Sequence, residues 1–254
     1  MILIHRITPF VLTLLNTILF LAFLMQWLSV PVVFILFNII NIVVLSRLIG
    51  WSISTFQYWF LLGVPLVFLN TTYVFLLFSE EAVVSYIIAL FALALSFLFF
   101  ENVFHFLHLP SSYQPYSLEY LSIMISMGSM FFLSAAGFGM RLLLLSPVWI
   151  LALIIFTIAF FFFYGTLWVS KLPESNVLKV SLVGAVLQAE FFIAFTYLPS
   201  GYFTNAALIT IVFYLTLGMF RALLEKKLSK KVFRRYVSTG AVLSLLVIVS
   251  SRWL

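Results

Sequence analysis

Nine stretches of this chain stay apolar for about 17–25 residues at a time, the length a helix needs to cross the hydrocarbon of a bilayer. They cover 9–28, 31–48, 56–78, 83–107, 117–138, 146–169, 177–198, 203–224 and 236–252. Composition points the same way. Of 254 residues, 65% are hydrophobic and only 8% charged, against about a quarter charged in an average soluble domain. A soluble fold of this size lacks the side chains to cover itself. The expected fold is all-α: a polytopic transmembrane helical bundle of about nine spans in a single membrane domain, 1–254.

Much chemistry is excluded by counting. There is no Cys, so disulfides and thiolate metal sites are ruled out. There is no Asp; all seven acids are Glu, which removes aspartyl protease and phospho-aspartyl chemistry. Walker A, H-E-x-x-H and glycine-rich dinucleotide patterns are absent. Three histidines, His5, His105 and His108, are too few for a chain of bis-histidine haems. No cofactor is expected, and a non-enzymatic role is favoured over an enzymatic one.

The net charge of +6 resides in one segment. Arg221, Lys226, Lys227, Lys230, Lys231, Arg234 and Arg235 face Glu225 alone, and the remainder of the chain is neutral. This argues against nucleic acid and for a basic cytoplasmic loop, 225–235, in which Lys226, Lys227, Lys230, Lys231, Arg234 and Arg235 meet anionic lipid headgroups. Leu224, Leu228, Val232 and Tyr236 recur every four residues, so span eight is expected to continue through the loop as an amphipathic helix. With the N-terminus in the cytoplasm, eleven basic residues fall inside (Arg6, Arg47, Lys171, Lys179 and these seven) and only Arg141 and Arg252 outside. The positive-inside rule then places the C-terminus outside, and the plasma (inner) membrane is the expected location. The first apolar run lacks a small-residue cleavage pattern and is read as a span.

Two segments resemble each other. Residues 101–113 and 190–202 share Glu101/Glu190, Phe106/Phe195, Leu109/Leu198, Pro110/Pro199, Ser111/Ser200 and Tyr113/Tyr202 at an offset of 89. Internal three-helix repeats would explain this, and an odd number of spans per repeat would invert neighbouring copies. The alternative is convergence, since Leu-Pro-Ser stops one helix and Tyr anchors the next at the interface.

Polar residues within the spans are the candidate site. Glu101 and Glu190 each precede a proline by nine residues, about 13 Å along a helix. That depth makes them candidates for charge handling, with Arg141 the basic residue placed to pair with Glu190. Gly63 and Pro65 point to a kinked or broken third span. Its Asn70, with Asn41 and Glu101, is expected to converge with Glu190 on one polar cavity. Asn16, Asn38 and Gln188 fit interhelical hydrogen bonds equally well. Glu101, His105 and His108 share one helix face, with Glu119 in the next span, and form the weak candidate set for a metal that is not favoured.

Three functions are compatible with these residues. The first is a small proton- or ion-coupled transporter or permease-like protein. The second is a non-catalytic scaffold or accessory subunit with a membrane-protein partner. The third is a metal-dependent lipid-modifying enzyme.

Overall fold

A computed structural model describes residues 2–170 and 174–251. Lys171, Pro173, Arg252, Trp253 and Leu254, which bear on orientation and anchoring, lie outside the described residues. The fold is all-α, in chain order α1 (Ile2–Leu24), α2 (Val30–Ile49), α3 (Phe56–Leu76), α4 (Ala82–His108), a 3-10 turn (Pro110–Ser112), α5 (Ser117–Leu144), α6 (Val148–Val169), α7 (Glu174–Phe195), α8 (Tyr202–Leu224) and α9 (Lys230–Ser250). Among the described residues, nine helices are long and apolar enough to span a membrane.

Contacts group the chain into two compact units, 1–125 and 126–254, divided within α5. In the first, α1 packs on α2 and α4, and α3 packs on α2 and α4, closing a four-helix ring. Its centre is aromatic. The Tyr73 ring stacks on Phe20 at 4.5 Å between centroids and meets Phe23 and Phe37 at 4.9 and 4.8 Å. Lipid tails are as apolar as leucine, so such contacts hold helices together by packing rather than by escape from water. Ser46 and Tyr58 add a buried hydroxyl pair at 2.6 Å between α2 and α3.

In the second unit α6 packs on α7, α7 on α8 and α8 on α9. Glycines allow the approach. A Cβ on Gly184 of α7 would stand 2.9 Å from the rings of Phe163 and Phe220, and Tyr236 of α9 covers Gly218 of α8. Leu215 of α8 occupies the space a Cβ on Gly240 would need.

Several expected boundaries move. Pro9, which sequence places near a span end, is inside α1, and that helix ends at Leu24 rather than 28. Pro65 sits inside an unbroken α3, buried by its neighbours. One missing hydrogen bond does not part a helix that is packed along both flanks. The broken-helix expectation is therefore corrected.

Span eight does not continue through the basic segment. Helix α8 stops at Leu224 because Lys226 takes a positive φ of 57°. The amide of Lys226 then bonds the Leu223 carbonyl and that of Lys227 the Ala222 carbonyl, closing a Schellman turn. Ser229 caps α9 by accepting from the Val232 amide at 3.3 Å, so α9 begins six residues before the expected 236. Lys230, Lys231, Arg234 and Arg235 thus belong to the first turns of α9 rather than to a loop. They stand exposed at the helix end whose dipole favours negative charge.

The turn itself carries a titratable clasp. Glu225 accepts from Lys227 Nζ at 2.8 Å and from Arg221 Nε at 3.0 Å. These two cations hold its carboxyl below the usual carboxylate range, Lys227 contributing most. A depressed carboxyl stabilises the fold above its unfolded value, and that contribution is lost as pH falls through the depressed one. A spin label at Ser229→Cys should keep constant mobility across neutral pH and loosen only on acidification. With Glu225→Gln added, it should be loose throughout.

Candidate functional site

The expected polar cavity of Asn41 and Asn70 is instead a closed ladder of amides. Asn16 of α1 and Asn41 of α2 exchange two hydrogen bonds, 3.0 and 2.8 Å, both side chains fully buried. One turn away, Asn38 of α2 and Asn70 of α3 do the same at 3.0 and 2.8 Å. The second amide proton of each of Asn38, Asn41 and Asn70 goes to the carbonyl four residues earlier, Phe34, Phe37 and Leu66. The donors of Asn38, Asn41 and Asn70 are thus committed within the helix pairs. These amides fasten α2 to α1 and α3, the interhelical role that their sequence positions fit equally well.

Glu101 keeps His105 beside it, but His108 leaves the set. The Nδ1 of His105 lies 2.9 Å from the Glu101 carbonyl oxygen and 3.5 Å from its carboxylate. The shorter contact is the hydrogen bond; in the longer one the two side chains lie near each other, both partly exposed. His108 turns the other way, stacking on His5 of α1 at 4.5 Å and on Phe104 at 5.4 Å. Among the described residues no three His or Glu side chains come together as a metal would need. Glu119, which sequence places beside that candidate set, lies in the first turn of α5 and is only 4% exposed, more buried than Glu101. The His5–His108 stack has no counterpart in the sequence reading, because a pairing across 103 residues leaves no periodic signal.

Glu190 and Arg141 do not pair. Glu190 lies on the exposed face of α7 with Val183, Val186 and Ile193. Arg141, near the end of α5, donates from Nη1 to the Ser146 carbonyl at 3.3 Å. It lines a cavity of about 360 Å³ together with Thr196, Tyr197, Ser200, Tyr202 and Asn205. The cavity wall is fixed by Ser200 donating to Asn205 Oδ1 at 2.6 Å and by Asn205 Nδ2 donating to the Phe195 carbonyl at 3.1 Å. The guanidinium is therefore brought to the Leu-Pro-Ser turn after α7, not to the carboxylate within it.

Phe138 forms the cavity floor and stacks on Phe192 of α7, centroids 4.5 Å apart and planes 26° apart. Gly137 makes room for it, since a Cβ there would stand 3.1 Å from the Phe192 ring. One turn before each ring, Ser134 on α5 and Gln188 on α7 are fully buried. Neither the Ser134 hydroxyl nor either polar atom of Gln188 has a hydrogen-bond partner, and Ser181 on the same α7 face is in the same condition. A buried amide left unbonded costs about 1–3 kcal/mol. The first unit pairs its buried asparagines, though the Tyr73 and Ser96 hydroxyls there are unbonded too; the second unit leaves a whole amide, Gln188, open next to an aromatic pair. In the sequence Gln188 is one isolated polar residue, with nothing to set it apart from the paired asparagines.

The two copies of the Leu-Pro-Ser match also differ locally. After α4, Pro110 opens a 3-10 turn and Tyr113 lies in the link, its hydroxyl accepting from the Leu118 amide at 3.1 Å. After α7, Pro199 lies in the turn and Tyr202 is the first residue of α8. Identical residues here serve different local structures.

Nine apolar helices among the described residues, internal amide pairs and glycine-seated packing define a multi-pass integral membrane protein. The chain belongs to the family described as "Protein of unknown function (DUF5656)", which it matches over residues 6–250. No curated protein and no solved structure matches it.

Proposed function

We propose that the protein is a transporter or permease-like protein whose polar path follows the seam of α5 and α7 in the second unit. The observation that carries this reading is the unbonded Gln188 amide, with Ser134, below the Phe138–Phe192 stack. A buried polar group left unbonded at such cost calls for something that binds it. In this reading the Arg141 cavity is the vestibule, the stacked rings are the constriction, and Gln188 with Ser134 meets the solute or its water. A lone guanidinium at the mouth favours small anionic solutes. Glu190 and Glu101 are left outside the path. The paired asparagines of the first unit favour a second reading, a non-catalytic scaffold for a membrane-protein partner.

The Cys-free chain allows a direct test. Ser134→Cys is close to isosteric and should react with a small hydrophilic methanethiosulfonate added to sealed vesicles, faster with an anionic reagent than with a cationic one. Arg141→Gln should remove that preference, and Phe192→Ala should speed both reactions. A scaffold would leave Ser134→Cys unreactive to hydrophilic reagents from both sides, and that result would end the transport reading. Under the proposed orientation, Ser229→Cys should label only from the cytoplasmic side.

A further inference from the structure

A second cavity, of about 620 Å³, opens in the first unit where the α1–α2 and α3–α4 turns meet. Its lining includes Gln26, Trp27, Ser79, Glu80, Ser85 and Tyr86. Three of these bring complementary chemistry. Trp27 and Tyr86 are aromatic residues 62% and 44% exposed, and Glu80 brings an exposed carboxylate.

The frame that holds them is built rather than loose. At the end of α1 the Gln26 amide bonds the Phe23 carbonyl and the Trp27 amide the Ala22 carbonyl, a Schellman turn that fixes where Trp27 leaves the helix. Gln26 takes the left-handed position at φ 55°, as Lys226 does after α8, so the positive φ is a habit of these turns and not itself a sign of binding. On the opposite wall the Ser85 hydroxyl lies 2.9 Å from the Ser79 hydroxyl and 3.0 Å from the Glu81 carbonyl, donating toward both. Those bonds tie the link that carries Glu80 to the first turn of α4.

Aromatic faces attract cations through the ring quadrupole, and the attraction strengthens when a carboxylate shares the site. An anion would be repelled by Glu80, and a purely apolar ligand would leave the polar rim unused. We propose that this cavity binds an organic ammonium group, quaternary or primary, over Trp27 and Tyr86 with Glu80 as its counter-ion. The group can come from a choline or ethanolamine lipid headgroup or from a free small amine. Gln26 and Ser79 supply hydrogen bonds to whatever polar part adjoins the ammonium.

The test uses the full chain in nanodiscs of phosphatidylglycerol, which carry no amine. Choline and tetramethylammonium are titrated in, with tryptophan fluorescence as the readout. Saturable binding is expected, at least tenfold weaker in Glu80→Gln and in Tyr86→Ala, both of which keep Trp27 as the reporter, and unchanged in Glu81→Gln. In a separate arm, nanodiscs doped with phosphatidylcholine or phosphatidylethanolamine are examined by native mass spectrometry. Retention of the amine lipid by the wild type but not by Glu80→Gln would identify the headgroup as the source. Binding of the free amines without lipid retention would identify a soluble ligand. The proposal is overturned if neither arm shows binding, or if binding is the same in Glu80→Gln as in the wild type. Because the Ser134→Cys labelling concerns the other unit, each result stands without the other.

Discussion

Replacing Gln188 by leucine is expected to make the protein more stable and less active at once. Leucine has nearly the volume of the glutamine side chain and brings no polar atom into a site where the glutamine amide finds no partner. Removing the unsatisfied donor and acceptor should therefore recover about 1–3 kcal/mol, read as a higher thermal midpoint in detergent or nanodiscs. If the amide is a solute contact, the same change should close the path, so hydrophilic labelling of Ser134→Cys should fall by at least tenfold. The opposition of the two effects is the informative part, since retained instability is a common cost of a working site. A Gln188→Leu protein that is less stable would show that the amide is bonded after all. A protein that is more stable, with labelling unaltered, would remove Gln188 from the path.

A change of similar size but opposite sign in stability is expected from Gly240→Leu, on structural grounds alone. Helix α9 packs chiefly on α8 among the described elements, and the Leu215 side chain fills the place a Cβ at residue 240 would take. Overpacking in a tight contact costs about 1–3 kcal/mol, and α9 has no second extensive contact to hold it while α8 adjusts. Only 6% of its spanning window is buried, so little other packing resists the displacement. The expected result is a detached or shifted α9. Cysteines introduced as Gly218→Cys and Tyr236→Cys in the otherwise Cys-free chain should be joined by a short bifunctional thiol cross-linker when Gly240 is kept and poorly once Gly240→Leu is added, because the span now filled by the Tyr236 ring separates the two positions. Equal cross-linking in both would mean that Leu215 rotates out of the way. Gly240→Ala should give a milder form of the same defect.

Much of the architecture is legible in the sequence because it depends on local composition. A run of twenty apolar residues must bury its backbone polar groups in its own hydrogen bonds whatever its neighbours are, so the existence of each helix follows from the run itself. Boundaries are less legible where a terminus is decided by one dihedral angle. Pro9 reads as an end in sequence but is an interior residue, and the stop after Leu224 rests on a lysine in a conformation that glycine usually takes. The pattern Leu224, Leu228, Val232 and Tyr236 looks helical throughout because hydrophobic period does not register a five-residue interruption that nearly preserves phase.

The candidate site divides along the same line. Sequence alone determined that this is an all-α membrane protein with a few polar groups inside its spans and its excess charge confined to one segment. It also determined that metal, thiol and aspartate chemistry have little or no material to work with. Which of those polar groups satisfy one another was decided only in three dimensions. Asn16 meets Asn41, and Asn38 meets Asn70, because helix packing sets their depth and facing, whereas Gln188 meets nothing. Arg141 reaches a turn carbonyl rather than Glu190 for the same reason. A hydrogen bond needs its two atoms within about 3 Å and aligned, and the distance between residues far apart in the chain is a property of the packed helices, not of any one of them.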